Sequence, residues 1–109
     1  MTHYNYHIRY LPLFFDDLND ITSYIKNELS NLKAANDLVD AVEDAILKRL
    51  PVCESFEPYH SKRERKYTYY RIYVKNYVVY YVVIDDEGPD KVMEVRRLLF
   101  NKQDMENII

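Results

Sequence analysis

A chain of 109 residues with 48% hydrophobic and 30% charged content supports one modest core, so mechanisms that need closure between domains are set aside. The apolar share excludes wholesale disorder, and the formal charge of −3 argues against general nucleic-acid affinity, which scales with phosphates neutralised. No secretory signal or long uncharged apolar run is evident, which leads to the expectation of a soluble, cytoplasmic protein; Cys53 as the single cysteine excludes an intrachain disulfide and a cysteine-based zinc cage.

Tyr4, Tyr6, Ile8 and Tyr10 alternate with Asn5, His7 and Arg9, the period-two pattern of a half-buried strand. Pro12 ends that strand and suits the first turn of a helix. Apolar residues at Phe14, Leu18, Ile21 and Ile25 give the helix one buried stripe as far as about Leu29. Asp16, Asp17 and Asp20 are read as charge favoured near its positive N-terminal end. Ser30 or Asn31 caps a second helix with Leu38, Val42, Ala45 or Ile46, and Leu50 on one face, and Pro51 marks its end. The link is short, so the two helices form an antiparallel hairpin.

Charge is strongly partitioned along the chain. Residues 1–57 hold five Lys or Arg against ten Asp or Glu, residues 58–83 six against one, and the last 26 residues four against seven. The basic segment opens with HSKRERK and runs into YTYYRIYVKNYVVYY, where seven of the twelve tyrosines lie between Tyr67 and Tyr81. Read as a hairpin turning at Lys75-Asn76, it pairs Val74 with Tyr77, Ile72 with Val79, Tyr70 with Tyr81 and Thr68 with Val83 on an apolar face. The opposite face pairs Tyr73 with Val78, Arg71 with Tyr80, Tyr69 with Val82 and Tyr67 with Ile84. That face is expected to be open and to meet the target. The turn Asp85–Asp90 leads to a strand from Lys91 to about Leu99, and Asn101 is expected to cap a short helix through Met105 and Ile108. The order strand, helical hairpin, three-stranded antiparallel meander and short C-terminal helix predicts one α+β domain over residues 1–109, with the helices on one face of the sheet.

The opening YHIRYLP followed by DDLNDITSYI, the block YYRIYVKNYVVYYVV and the tail RRLLFNKQDMENII together resemble the RelE/ParE superfamily of type II toxins, which includes plasmid stabilisation proteins. The resemblance spans nearly the whole chain. It implies a toxin held inactive by a cognate antitoxin. In RelE-like members, basic and tyrosyl side chains on the sheet face cut ribosome-bound mRNA. ParE-like members inhibit DNA gyrase, with no established catalytic residues.

Matched position by position, the first basic residue of the RelE pattern falls on Arg71 and is kept, while the second falls on Tyr73. The next arginine falls on Val78, and the basic pair after the last strand on Lys102 and Gln103. If the chain were a ribonuclease its candidates are Arg71, Tyr73, Tyr80, Arg97 and Lys102. Each transition-state cation commonly supplies about a hundredfold in rate, so the incomplete set favours the ParE-like branch, with the mRNA endoribonuclease as the alternative and an antitoxin-binding module without toxicity as a third reading. Where many relatives read Gly-Arg-Arg-Asp this chain reads Asn101-Lys102-Gln103-Asp104. The expected surface for the target or partner comprises Arg63, Arg65, Lys66, Tyr69, Arg71, Tyr73, Tyr80 and Lys102. No cofactor, metal, membrane or small-molecule substrate is expected, since His3, His7 and His60 share no ligand spacing. Beside those roles stand plainer ones, Arg97 as a structural cation paired with an acid such as Asp104 and Arg71 as a cross-strand partner of the Tyr80 ring.

Overall fold

The computed structural model describes residues 5–103 and 105–108, so Tyr4 and Asp104 lie outside it. Strand β1 (Tyr6–Tyr10) turns Tyr6, Ile8 and Tyr10 inward, as its alternation predicts. Helix α1 (Pro12–Ser23) starts with Pro12, whose missing N–H costs nothing in the first turn. It does not run on as an α-helix to Leu29. Tyr24–Glu28 forms a wider π turn, closed by Leu29 N–H donating to Tyr24 O at 3.2 Å, and keeps Ile25 in the core while Leu29 is left exposed. Asn31 caps helix α2 (Leu32–Arg49) by accepting from Ala34 N–H at 3.0 Å, and α2 buries Ala35, Leu38, Val42 and Ile46 on the stripe its spacing predicts.

Strands β2 (Tyr69–Val74), β3 (Tyr77–Ile84) and β4 (Lys91–Phe100) form the expected meander, and β1 joins it parallel to β4. The sheet order is β1-β4-β3-β2, so β4 is a central strand and β2 an edge. The β2–β3 register is the predicted one, with Tyr70 opposite Tyr81, Arg71 opposite Tyr80 and Tyr73 opposite Val78. Lys75 makes the tight turn at φ 54°, a left-handed conformation that a two-residue hairpin requires there. The strand begins two residues later than predicted, because Tyr67 leaves the ladder to donate its hydroxyl to Asp86 Oδ1 at 2.8 Å, and Thr68 is exposed.

The helices cover one sheet face, where Phe14, Leu38, Val42 and Ile46 pack on Ile72, Val79, Tyr81, Met93, Val95 and Leu98. Tyr81 lies at the centre of this layer, 0% exposed, stacked on Tyr70 with ring centroids 5.2 Å apart. Its hydroxyl donates to Cys53 O at 2.6 Å and accepts from Arg49 Nη1 at 3.0 Å, which satisfies a phenol that burial holds at a pKa of about 12. Burial likewise raises the Cys53 thiol to about 11, so it stays protonated and inert at neutral pH.

The C-terminal helix α3 (Met105–Ile108) lies on the other face of the sheet. Asn101 does not cap it. The helix starts four positions later, and Asn101 N–H instead donates to Asn76 O at 2.9 Å, tying the end of β4 to the hairpin turn. Because both partners of the Tyr81 hydroxyl lose a bond when it is removed, Tyr81→Phe should destabilise the fold by about 1–3 kcal/mol, read as a lower urea midpoint at unchanged slope.

Candidate functional site

Period-two alternation places Tyr69, Arg71 and Tyr73 of β2 with Val78, Tyr80 and Val82 of β3 on the face away from α1 and α2, as the hairpin register predicts. The face is not open along its length. Tyr69 is 7% and Tyr80 6% exposed, contrary to the expectation that both meet solvent. They pack in a second apolar cluster with Val78, Val82, Ile84 and Leu99, covered by Tyr59 and Tyr67 of the preceding loop and Ile108 of α3. Tyr73, at 65% exposure, is the tyrosine of this face that projects freely.

The cover is fastened by one carboxylate. Glu106 on α3 accepts from Tyr59 OH at 2.7 Å, Lys62 N–H at 2.9 Å, Ser61 Oγ at 3.1 Å and Arg65 Nη2 at 3.1 Å. These donors hold its pKa down at about 2, while burial, and then the hydrogen bond to Glu106, raise that of Tyr59 to about 12. The basic segment is therefore a receptor for the protein's own helix. Arg65 is half-buried in that role, and Arg63 Nη2 donates to Asn107 Oδ1 at 2.8 Å. Lys66 remains exposed, with Nζ 5.1 Å from the Tyr67 ring and 4.0 Å from Asp86 Oδ2.

A β-bulge sets the remaining cations. The β3–β4 register shifts between Tyr80, opposite Arg97, and Tyr81, opposite Val95, leaving Arg96 without a cross-strand partner. Arg96 donates to Glu94 Oε1 at 2.7 Å and to Tyr69 OH at 2.9 Å. Glu94 is 4% exposed and is compensated again by Arg9 Nε at 2.7 Å, so this charge is buried with two guanidiniums. Arg97 is the structural cation predicted, with a different acid. It grips Asp17 in a bidentate pair at 2.7 and 2.9 Å. Asp17 also accepts from Leu98 N–H at 3.0 Å, on the stretch of β4 that outruns β1. Asp17 thus caps an unpaired strand edge rather than the helix N-terminus; it sits beyond the first turn of α1, where the dipole effect has faded.

Arg71 does not lean on Tyr80. Its guanidinium lies 5.1 Å from the Tyr59 ring and 5.7 Å from the Tyr73 ring. Tyr59 packs edge-on against Tyr80 at 6.4 Å. Lys102 stands exposed in the turn after β4, at the hairpin end of the molecule. Of the residues expected on the surface, Arg71, Tyr73 and Tyr80 come together, Arg63 and Arg65 anchor α3, Tyr69 sits under Arg96, and Lys66 and Lys102 stand apart. Tyr59, Asp17 and Glu106 carry no local signal of their roles, since Glu106 and Tyr59 are 47 residues apart and Arg97 and Asp17 are 80 apart.

A helical hairpin on one face of a four-stranded mixed sheet, with a tyrosine- and arginine-bearing opposite face under a short C-terminal helix, defines a RelE/ParE-like α+β domain. The chain belongs to the ParE toxin family of type II toxin–antitoxin systems: the family model described as ParE toxin of type II toxin-antitoxin system, parDE, matches residues 8–105. No curated protein matches it. Among the described residues no helix is long and apolar enough to cross a membrane.

Two outcomes follow from these pairs. Asp17→Ala strands the Arg97 guanidinium and the Leu98 N–H together and should cost about 2–3 kcal/mol, with Arg97→Ala non-additive in a double-mutant cycle by denaturant unfolding. The folded-state pKa of Glu106 is depressed to about 2 from 4.5, so its contribution is complete above pH 4.5 and is lost as pH falls towards 2. Glu106→Gln should therefore flatten stability between those limits, and hydrogen exchange should show α3 loosening first in the native chain.

Proposed function

We propose that this chain is a ParE-like growth inhibitor that acts by binding DNA gyrase and is neutralised by a cognate antitoxin. The observation that carries this reading is the fate of the sheet-face cations. Attack of a ribose 2′-OH on phosphorus needs a proton acceptor, cations for the phosphorane and a proton donor for the leaving oxygen. Arg97 is committed to Asp17, Arg96 to Glu94 and Arg65 to Glu106. Burial raises the Tyr80 phenol above its ordinary pKa, which makes it a poorer proton acceptor at neutral pH. Arg71 remains, with Lys102 in a separate turn. One guanidinium leaves the reaction short of two or more cations, each worth about a hundredfold.

The same features suit recognition of a protein. Tyr73 and Arg71 offer an aromatic anchor and a planar cation beside a rigid, packed face, the residue types that dominate binding energy at interfaces. The domain as a whole, residues 1–109, is read as the toxin unit.

Purified protein should block gyrase supercoiling or accumulate cleaved DNA, while primer extension in a translating extract shows intact message. Tyr73→Ala, at an exposed position, should weaken inhibition about tenfold without lowering stability. Full supercoiling at large toxin excess would exclude gyrase, and codon-positioned cuts would replace the reading with the ribonuclease. Co-expression of the adjacent antitoxin frame should restore growth.

A further inference from the structure

Of the seven arginines in the chain, six donate at least one hydrogen bond to oxygen, from Arg9 on Glu94 to Arg97 on Asp17. Arg71 is the exception: among the described residues its guanidinium has neither a hydrogen bond nor an ion pair. A half-buried guanidinium keeps most of its desolvation cost unless something accepts its protons, so an unsatisfied one beside aromatic rings is poised for an external acceptor.

A second group at the same place is also unsatisfied. Tyr80 is 6% exposed, yet its hydroxyl makes no hydrogen bond among the described residues. Among the described residues no fully buried side-chain polar atom lacks a partner, so this hydroxyl is within reach of solvent. Arg71 stands opposite Tyr80 in the β2–β3 ladder and its guanidinium lies 5.7 Å from the Tyr73 ring, which puts the three side chains on one patch of the face. The phenol stays protonated at neutral pH and is a donor there.

We infer that Arg71, with the phenols of Tyr73 and Tyr80, is a receptor for one carboxylate side chain presented by a protein partner. The inference rests on the protein-binding reading above and names the chemistry of its contact. The guanidinium is steadied on one ring: Tyr59, 5.1 Å away, is held by its bond to Glu106 at 2.7 Å, so the planar fork loses less freedom when it donates to both oxygens of an oxyanion. Charge selects among oxyanions. Of the arginines that strands β2 and β4 place on this face, Arg71 is the one with no acid partner among the described residues, which matches a monoanion. A nucleic-acid strand brings a row of phosphates and meets a chain of net charge −3, whose neighbouring arginines are spent on Glu94, Glu106 and Asp17.

The test follows the Arg71 Nε–Hε signal and the Tyr80 ring signals by NMR in the labelled full chain, titrated with sodium propionate, a single carboxylate, against sodium chloride at matched ionic strength. The expected result is a saturable shift of both sets with the carboxylate alone. Arg71→Lys, which keeps the charge and loses the fork, should weaken the binding about tenfold, and Tyr80→Phe should weaken it by a smaller factor. Shifts equal to those with chloride, or shifts unchanged in Arg71→Lys, overturn the inference. So does a short oligothymidylate that binds the same signals more tightly than the carboxylate, which would make the site a phosphate reader. This readout is independent of gyrase: a lost carboxylate response with intact gyrase inhibition removes the receptor alone, and the reverse pattern removes gyrase alone.

Discussion

A sheet with helices on one face leaves its other face to water unless something is fastened over it, and in this protein the fastening depends on the Glu106 carboxylate. A helix of only four residues buries too little apolar surface to dock by itself, Ile108 being its half-buried contact with the second cluster. Four donors from the basic loop converge on Glu106 and supply what packing cannot. The same contact orients Tyr59 and brings the loop over Tyr69 and Tyr80. Asp17 does the corresponding work at the opposite edge of the face, where β4 outruns β1 and the Leu98 N–H would otherwise lack a partner.

These carboxylates explain why a chain rich in tyrosine and arginine has so little free charge on this face. Most of the guanidiniums there are met by an acid: Arg96 by Glu94 of its own strand, and, from distant elements, Arg9 by Glu94, Arg97 by Asp17 and Arg65 by Glu106. Once paired and partly desolvated, a cation steadies the fold and has little left to offer a developing phosphorane. The proposed action through protein contact draws on this spent set of cations, in a chain that belongs to the ParE toxin family. Arg71 and Tyr73 remain available because the edge strand β2 carries them past the rim of the cover.

Much of the fold is legible in local pattern. Alternation marks β1, Pro12 and Asn31 mark helix starts, and the register of the tyrosine hairpin follows from matching apolar positions across Lys75-Asn76. These succeed because strand and helix periods are set within a few residues of chain. The same pattern fails at Tyr69 and Tyr80. Alternation says which face a side chain points to, and it is silent on whether a remote segment covers that face. The π turn at Tyr24–Glu28 escapes for a related reason, since an apolar stripe reads alike in α and π winding over so short a stretch.

From the residues alone come the α+β class, the helical hairpin, the paired faces of the tyrosine strands, a structural Arg97 and the resemblance to RelE/ParE toxins. The tertiary structure decided which charges neutralise one another. Asp17 is 80 residues from Arg97, Glu94 85 from Arg9 and Glu106 41 from Arg65, and no local rule distinguishes these acids from the others in the chain. An ion pair is specified by where strands and helices bring their ends together in space, and only that assembly could show that most of the arginines are occupied and that Arg71, among the described residues, is not.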